Sequence, residues 1–256
     1  MPVKYPNGVG GGGGGGGTYT STTPSNVTVG GIASGSSFVA ATVQTLFDGL
    51  LHTYLGPLVS TVVSPAAGIR EFGNTSASVD ITPTTTRRSN NITTLTISRS
   101  GAGVIHTYVP NPAGGAEPLF NDATLLATTT TYTTTVGDGT STSTDTDTYT
   151  FVYPFYVGVG APGLTGAQIG ALTKLIVAQG NRSQAYAPTA EVPYFAYHAS
   201  YPDLSIIRDQ NAFDVTADWT LRNPVVITGL DGTPQNYKVY EFDNLTSLAQ
   251  TYTFNF

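Results

Sequence analysis

The chain has 256 residues, enough for one large domain or two of medium size. Only 10% of residues are charged, and a net charge of −6 with a pI near 4.8 leaves no basic surface of the kind nucleic acid requires. Cysteine is absent, which excludes disulfides, zinc–thiolate sites and a cysteine nucleophile.

Threonine, serine and asparagine stand where charges usually would, beside 30 Gly and 16 Pro. Threonine is β-branched and suits a half-buried pleated surface, while Gly and Pro supply turns. With 15 Tyr and 11 Phe there is ample material for a core, so a mainly β fold is expected. No apolar run is long enough for a membrane-spanning helix, and no membrane insertion is expected. The first residues, Met1-Pro2-Val3-Lys4-Tyr5-Pro6, lack the apolar segment of a secretory signal, so synthesis in the cytoplasm is expected.

Residues 1–24 read as a Gly-rich arm. Gly10 to Gly17 is an unbroken glycine run, without the Lys-Ser/Thr of a phosphate loop or the Gly-x-y period of collagen. It is either a flexible tether or an arm ordered by a neighbouring subunit. Ordering it costs on the order of 1–2 kcal/mol per residue, so the second reading needs backbone hydrogen bonds from a partner. Tyr5, Gly10 and Gly17 mark this candidate anchoring arm.

Residues 25–57 read as a connector. A short strand, Val27-Thr28-Val29, and a turn at Gly30-Gly31 precede an amphipathic helix capped by Thr42 and stopped at Gly56-Pro57. Its apolar face is Val43, Leu46, Phe47, Leu50, Leu51 and Tyr54.

Residues 58–153 have the rhythm of an immunoglobulin-like β-sandwich. Apolar residues alternate at Ala77, Val79 and Ile81, at Leu95 and Ile97, at Tyr132, Thr134 and Val136, and at Tyr149, Phe151 and Tyr153. Asp138-Gly139 predicts a hairpin turn. The adjacent pair Arg87–Arg88 reads as a solvated turn tip.

Residues 154–256 read as a separate β-rich C-terminal domain, divided from the sandwich by a Gly- and Pro-rich stretch over 154–163. Thr165 is placed to cap a helix burying Ile169, Leu172, Leu175 and Ile176 and ending at Gly180. Strands are predicted at Tyr194–Tyr197, Val225–Ile227, Tyr237–Tyr240 and Tyr252–Phe256, with a turn at Asp231-Gly232. The last of these alternates to its end, as a strand built into a sheet does.

Three stretches resemble a recurrent family of bacteriophage tail and other virion proteins. One is Val29-Gly30-Gly31-Ile32 with the helix that follows. The second runs from Glu71-Phe72-Gly73-Asn74-Thr75 through Tyr132–Thr140 to Tyr153–Gly158. The third runs from Pro193–Tyr197 through Asp209-Gln210-Asn211-Ala212-Phe213-Asp214-Val215 onward. The resemblance implies a non-enzymatic virion component of the tail, baseplate or fibre type, acting in assembly and host attachment. A head decoration or head fibre is the alternative, and a polysaccharide-degrading tail enzyme a further one. Implied partners are other virion proteins, further copies of the chain in threefold or sixfold order, and a host receptor or glycan. The glycine run has no place in that pattern.

No cofactor is expected, and the reactive residues do not form a recognisable set. A Gly-x-Ser-x-Gly elbow is missing, and His52, His106 and His198 are far apart in sequence. Glycoside hydrolysis needs two carboxylates, and spacing alone brings together no two of Glu71, Glu117, Glu191 and Glu241. Asp145-Thr146-Asp147 resembles part of a calcium loop but lacks its Gly and terminal Glu, and reads as a solvated strand end. The aromatic run Tyr194, Phe195, Tyr197, His198 and Tyr201 is the candidate interface or adhesion surface, with a sheet core as the competing account. A terminal Phe256 after an alternating strand also suggests an outer-membrane barrel, against which the helices count.

Overall fold

The computed structural model describes residues 54–256, together with the backbones of two short paired strands, β1 (Thr18–Tyr19) and β2 (Ala41–Thr42). Among these residues the protein is mainly β, as its composition implies. Two expectations near the N-terminus change. Thr18 and Tyr19, assigned to a free arm, pair with Thr42 and Ala41, and Thr42, assigned as a helix cap, lies in β2. The Val27–Val29 strand, the Gly30-Gly31 turn, the positions from Val43 to Leu51 and His52 lie outside the described residues, as do Tyr5, Gly10 and Gly17. Tyr54 lies in an irregular segment before the first long strand.

The first body is two sheets face to face. One holds β3 (Leu58–Ser64) against β5 (Val79–Thr86), whose other side pairs with β8 (Gly114–Ala116) and β9 (Phe120–Asp122). The second has the order β4 (Gly68–Glu71), β11 (Thr142–Val152), β10 (Thr130–Gly137), β6 (Thr94–Arg99), β7 (Gly103–Thr107). All its pairings are antiparallel except β4 with β11. Alternate side chains point inward: Val79 and Ile81 from one sheet meet Leu95, Ile97, Tyr132, Val136 and Tyr149 from the other. The alternation read from sequence holds here, except that Ala77 precedes the strand and is exposed. The Asp138-Gly139 turn is present, with Gly139 at φ 85°, and Arg87 and Arg88 are exposed past the end of β5.

Pro83 sits mid-strand in β5 without breaking it. A proline costs a ladder hydrogen bond only where a partner would accept its N–H. Here the neighbouring chain changes from β8 to β9, and Glu117 donates its N–H to the Pro83 carbonyl.

The second body is built around one sheet of order β13 (Thr173–Leu175), β12 (Phe155–Gly160), β15 (Val192–His198), β18 (Pro234–Phe242), β17 (Trp219–Thr228). A three-stranded sheet, β14 (Arg182–Tyr186), β19 (Gln250–Asn255), β16 (Ile206–Arg208), covers one face. Phe195 stacks on Phe254 across that interface, with centroids 3.9 Å apart. Tyr156, Tyr194, Ala196, Tyr237 and Val239 occupy the other face under Leu164 and Ile169. A bulge between Arg222 and Val225 adds one residue to β17 relative to β18. Because side chains alternate, that residue turns Trp219 to the first face and Ile227 to the second. The closing strand β19 pairs on both sides.

The helix starting at Thr165 is much shorter than predicted. Thr165 caps it with a full capping box, but it spans only Gly166–Gly170. Thr173–Leu175, assigned to the same helix, is the edge strand β13 and pairs with Phe155–Val157. Two glycines in five residues weaken the helix, while Thr173-Lys174-Leu175 gains sheet hydrogen bonds. Gly166 is there for closeness: a Cβ would lie 1.8 Å from the Val226 carbonyl oxygen. Helix propensity alone predicts that Gly166→Ala stabilises by about 1 kcal/mol. We expect the opposite sign, a loss of about 1–3 kcal/mol in urea unfolding, because the helix must move off β17.

Candidate functional site: the seam between the two bodies

Only Tyr153 and Pro154 separate β11 of the first body from β12 of the second. A link this short fixes the bodies only if its side chains are held, and Tyr153 is held on both faces. Phe72, next to the end of β4, stacks on one face with centroids 4.7 Å apart. His198, the last residue of β15, stacks on the other at 3.5 Å and 6°. The Tyr201 hydroxyl lies 3.2 Å from the Tyr153 nitrogen, which donates to it, and 3.3 Å from the Tyr153 carbonyl oxygen.

The flanking residues of Glu71-Phe72-Gly73 complete the seam. Glu71 is buried, and both its oxygens accept from Lys174 Nζ, at 2.9 and 3.2 Å. The Lys174 ammonium is held above its ordinary range by this bond to Glu71. A buried carboxylate without its cation is costly, so the pair ties β4 to β13. Gly73, at φ 91°, passes beside the Asp231 turn, where a Cβ would come within 3.0 Å of the Asp231 nitrogen. The first of the motifs for the sandwich is therefore an inter-body clasp.

His198 is locked into one neutral form. Its Nδ1 accepts the Ser200 backbone N–H at 3.2 Å, and Ser200 Oγ lies 2.7 Å away. Gln235 Nε2 donates to Thr233 Oγ1, which turns Gln235 Oε1 toward His198 Nε2 at 3.3 Å. Nε2 must therefore carry the proton. Burial holds the imidazole below the usual histidine range, and the Gln235 contact only partly opposes this. The close Ser200–His198 pair superficially resembles a nucleophile and its base. It lacks the carboxylate that would steady an imidazolium, because the third group is the neutral Gln235.

Of the predicted surface, His198 and Tyr201 are at the seam, whereas Tyr194, Phe195 and Tyr197 are fully buried core residues and offer no contact surface. The reason is that β15 is covered on both faces. Tyr194 lies under the helix side, its hydroxyl donating to the Ala161 carbonyl, and Phe195 and Tyr197 lie under the smaller sheet.

The remaining candidates are dispersed. Glu241 pairs with Arg222 at 2.9 Å, Glu117 accepts the Asn111 N–H, and Glu191 accepts from Thr189. His106 stacks on Phe120 inside the first body. Asp145 and Asp147 are not at a strand end. They lie mid-β11, half-buried and facing inward, with Asp145 accepting the Thr61 N–H at 2.7 Å. Among the described residues no group of three or more His, Asp or Glu could hold a metal ion. A shallow hollow of about 300 Å³ is lined by Thr, Ser and Gly at Thr93, Thr94, Gly137 and 139–142. Beside it Tyr54 donates to the Asp138 carboxylate, clasping the incoming chain to the hairpin.

No protein-family model matches the sequence, and no curated protein is significantly similar to it.

Two outcomes are expected. Phe72→Ala should leave both bodies folded but speed proteolytic cleavage within 153–163 several-fold, as gel analysis of limited digests would show. Tyr197→Phe should be neutral or stabilising by up to about 1–3 kcal/mol, because its buried hydroxyl, although near Tyr240 and the Leu204 backbone, makes no well-formed hydrogen bond among the described residues. Tyr197→Ala should instead lose about 3–5 kcal/mol in the same urea titration.

Proposed function

We propose that this protein is a structural component of a bacteriophage particle, of the tail, baseplate or fibre type, working by assembly and attachment. The observation that carries the reading is the seam: two β bodies joined by two residues and clamped by a ring stack, a buried ion pair and a tight glycine contact. A building block that holds its neighbours at fixed angles needs such a joint, whereas a two-domain enzyme that closes on substrate needs a looser one. The resemblance of Glu71–Thr75, Tyr132–Thr140 and Pro193–Val215 to virion proteins points the same way. The first body supports the immunoglobulin-like part of the reading. Its first strand, β3, joins one sheet, and the chain then crosses to run parallel to the last strand, β11, in the other.

Assembly needs contacts outside the buried β15. The loop after β16 is built to present one. Asp209 accepts the backbone N–H of Asn211 and of Phe213, and Ala212 takes φ 65°, which leaves Phe213 67% exposed at a fixed loop. We read Phe213 as a contact to a second copy of this chain.

The test is to locate the chain on purified particles by labelling and to count copies. A tail or baseplate position in multiples of three supports the reading, a head position favours decoration, and absence from particles overturns both. Incubation of the protein with host surface polysaccharide would reveal a depolymerase if chain length fell. Phe213→Ser should keep the melting temperature within a few degrees while lowering the oligomer fraction in sedimentation. An unchanged distribution would remove Phe213 from the contact.

A further inference from the structure

We propose that Phe213 of one copy docks into a hollow beside the start of β19 in a second copy, and that the second copy's Phe213 docks back in the same way. The inference rests on the reading of Phe213 as a contact between copies, and adds where on the partner the ring goes.

The hollow follows from strands of unequal reach. β14 pairs with β19 as far as Gln250, whereas β16 stops at Arg208, opposite Thr253. On that side Gln250 and Thr251 have no strand beside them among the described residues. Gln210 turns back to serve the open ladder, its Oε1 accepting the Thr251 N–H at 3.1 Å. What stays open is a hollow of about 260 Å³ lined by Ala185, Tyr186, Gln210, Ala249, Gln250 and Thr251. None of these six carries a charge. Both glutamine oxygens are already engaged within the chain, Gln210 with Thr251 and Gln250 with the Tyr252 hydroxyl, so an apolar guest suits the site better than a polar one. An apolar cavity of about 150 Å³ takes a benzene ring, so the hollow has room for a phenyl side chain.

The chain itself carries a group of that kind. From residue 54 onward, Phe213 is the one Phe, Tyr or Trp side chain that is exposed. The Asp209 N–H donates to the Phe213 carbonyl, which closes the loop. Gln210, which lines the hollow, and Phe213, which does not, therefore stand on one small patch. When two such patches face each other, a ring entering the opposite hollow brings its own hollow to the opposite ring. That is the self-complementary arrangement of a twofold axis, and dihedral assemblies of threefold order contain such pairs. The rim fits the same arrangement. Arg208, Asp214 and Asp218 are all exposed, and a twofold axis sets the cation of each copy against the anions of the other. Leu248 precedes Ala249 of the hollow and is 67% exposed, and the contact covers it as well.

The experiment compares variants of the full chain by sedimentation over a concentration series. Ala249→Trp fills the hollow from an exposed position and leaves Phe213 untouched. It should raise the dissociation constant of the pair by about tenfold or more, the factor that burial of one phenyl ring supplies, as Phe213→Ser should. The double variant should be no weaker than either single one, because ring and hollow make one contact. A wild-type chain that stays monomeric throughout the series overturns the proposal, as does Ala249→Trp pairing like wild type. If Phe213→Ser weakens pairing and Ala249→Trp does not, the docking place falls while the contact through Phe213 stands. Ala185→Trp fills the same hollow from β14 and decides should Ala249→Trp fail to fold. The chain has no cysteine, so a spin label on Leu248→Cys gives a second readout. Mixed with an unlabelled copy, it should broaden the Phe213 ring signals of that copy, and sharp signals in a mixture that pairs overturn the proposal. None of these readouts depends on where the chain sits on a particle.

Discussion

A strand buried on both faces must have two separate layers brought to it, and β15 imposes this requirement on the whole second body. From Val192 to Tyr197 every residue is buried, so one face needs the β14–β19–β16 sheet and the other needs Leu164, Ile169 and the short helix. Much else follows. Gly166 is small because the helix must approach β17 within contact of the Val226 carbonyl, and the bulge at Asn223-Pro224 lets a single strand serve both layers. Burial along β15 ends at His198, the point at which the strand meets Tyr153 and the first body. The covering of β15 and the joint between the bodies are thus consecutive parts of one strand.

Tyrosine does much of this packing, and the reason is physical. A chain with so few charged residues has few long polar side chains with which to satisfy carbonyls and N–H groups between layers. Tyrosine fills a core and carries a hydroxyl to its far side. Tyr186 donates to the Tyr194 carbonyl, Tyr194 to Ala161, Tyr108 to Pro118 and Tyr149 to Pro65. Tyr132 donates to Asp122, which also binds Arg99, closing a buried polar group across the first body. Burial raises the Asp122 carboxyl, but the bonds from Tyr132, Thr124 and Arg99 outweigh it and hold the group below its usual range.

These features also separate what the sequence disclosed from what it concealed. Period-two alternation in β5, β6 and β10, and the turns at Asp138-Gly139 and Asp231-Gly232, were legible because local chemistry decides them. The helix after Thr165 was over-extended because Ile169, Leu172, Leu175 and Ile176 satisfy a helical period. Pairing with β12, a long-range choice, overrides that period after one turn. The run Tyr194–Tyr197 gave no sign of which side chains would be exposed, since an unbroken apolar strand has the same pattern at a core as at a sticky surface. The seam was least visible. Phe72, Tyr153 and His198 come from distant positions, and only the fold stacks them.

The open side of the first body bears on how such a protein associates. β4 pairs with β11 only from Tyr149 to Val152, so residues 142–148 of β11 have their outer edge unpaired by any strand among the described residues. An unpaired edge rich in threonine invites another chain to add to it. Asp145 and Asp147 face inward along this stretch, and Asp145 captures the Thr61 N–H of β3 in the opposite sheet. That bond occupies a donor on the outer edge of β3, not one on β11. Burial, with the charge of Asp145 added, raises the Asp147 carboxyl. Both carboxylates are half-buried on the face that carries Tyr149, so a strand added to this edge would run beside two charges that need solvation. Inward-pointing charges are one way in which a sheet edge resists pairing with another chain, and the acidic pair that resembles a calcium loop has that placement.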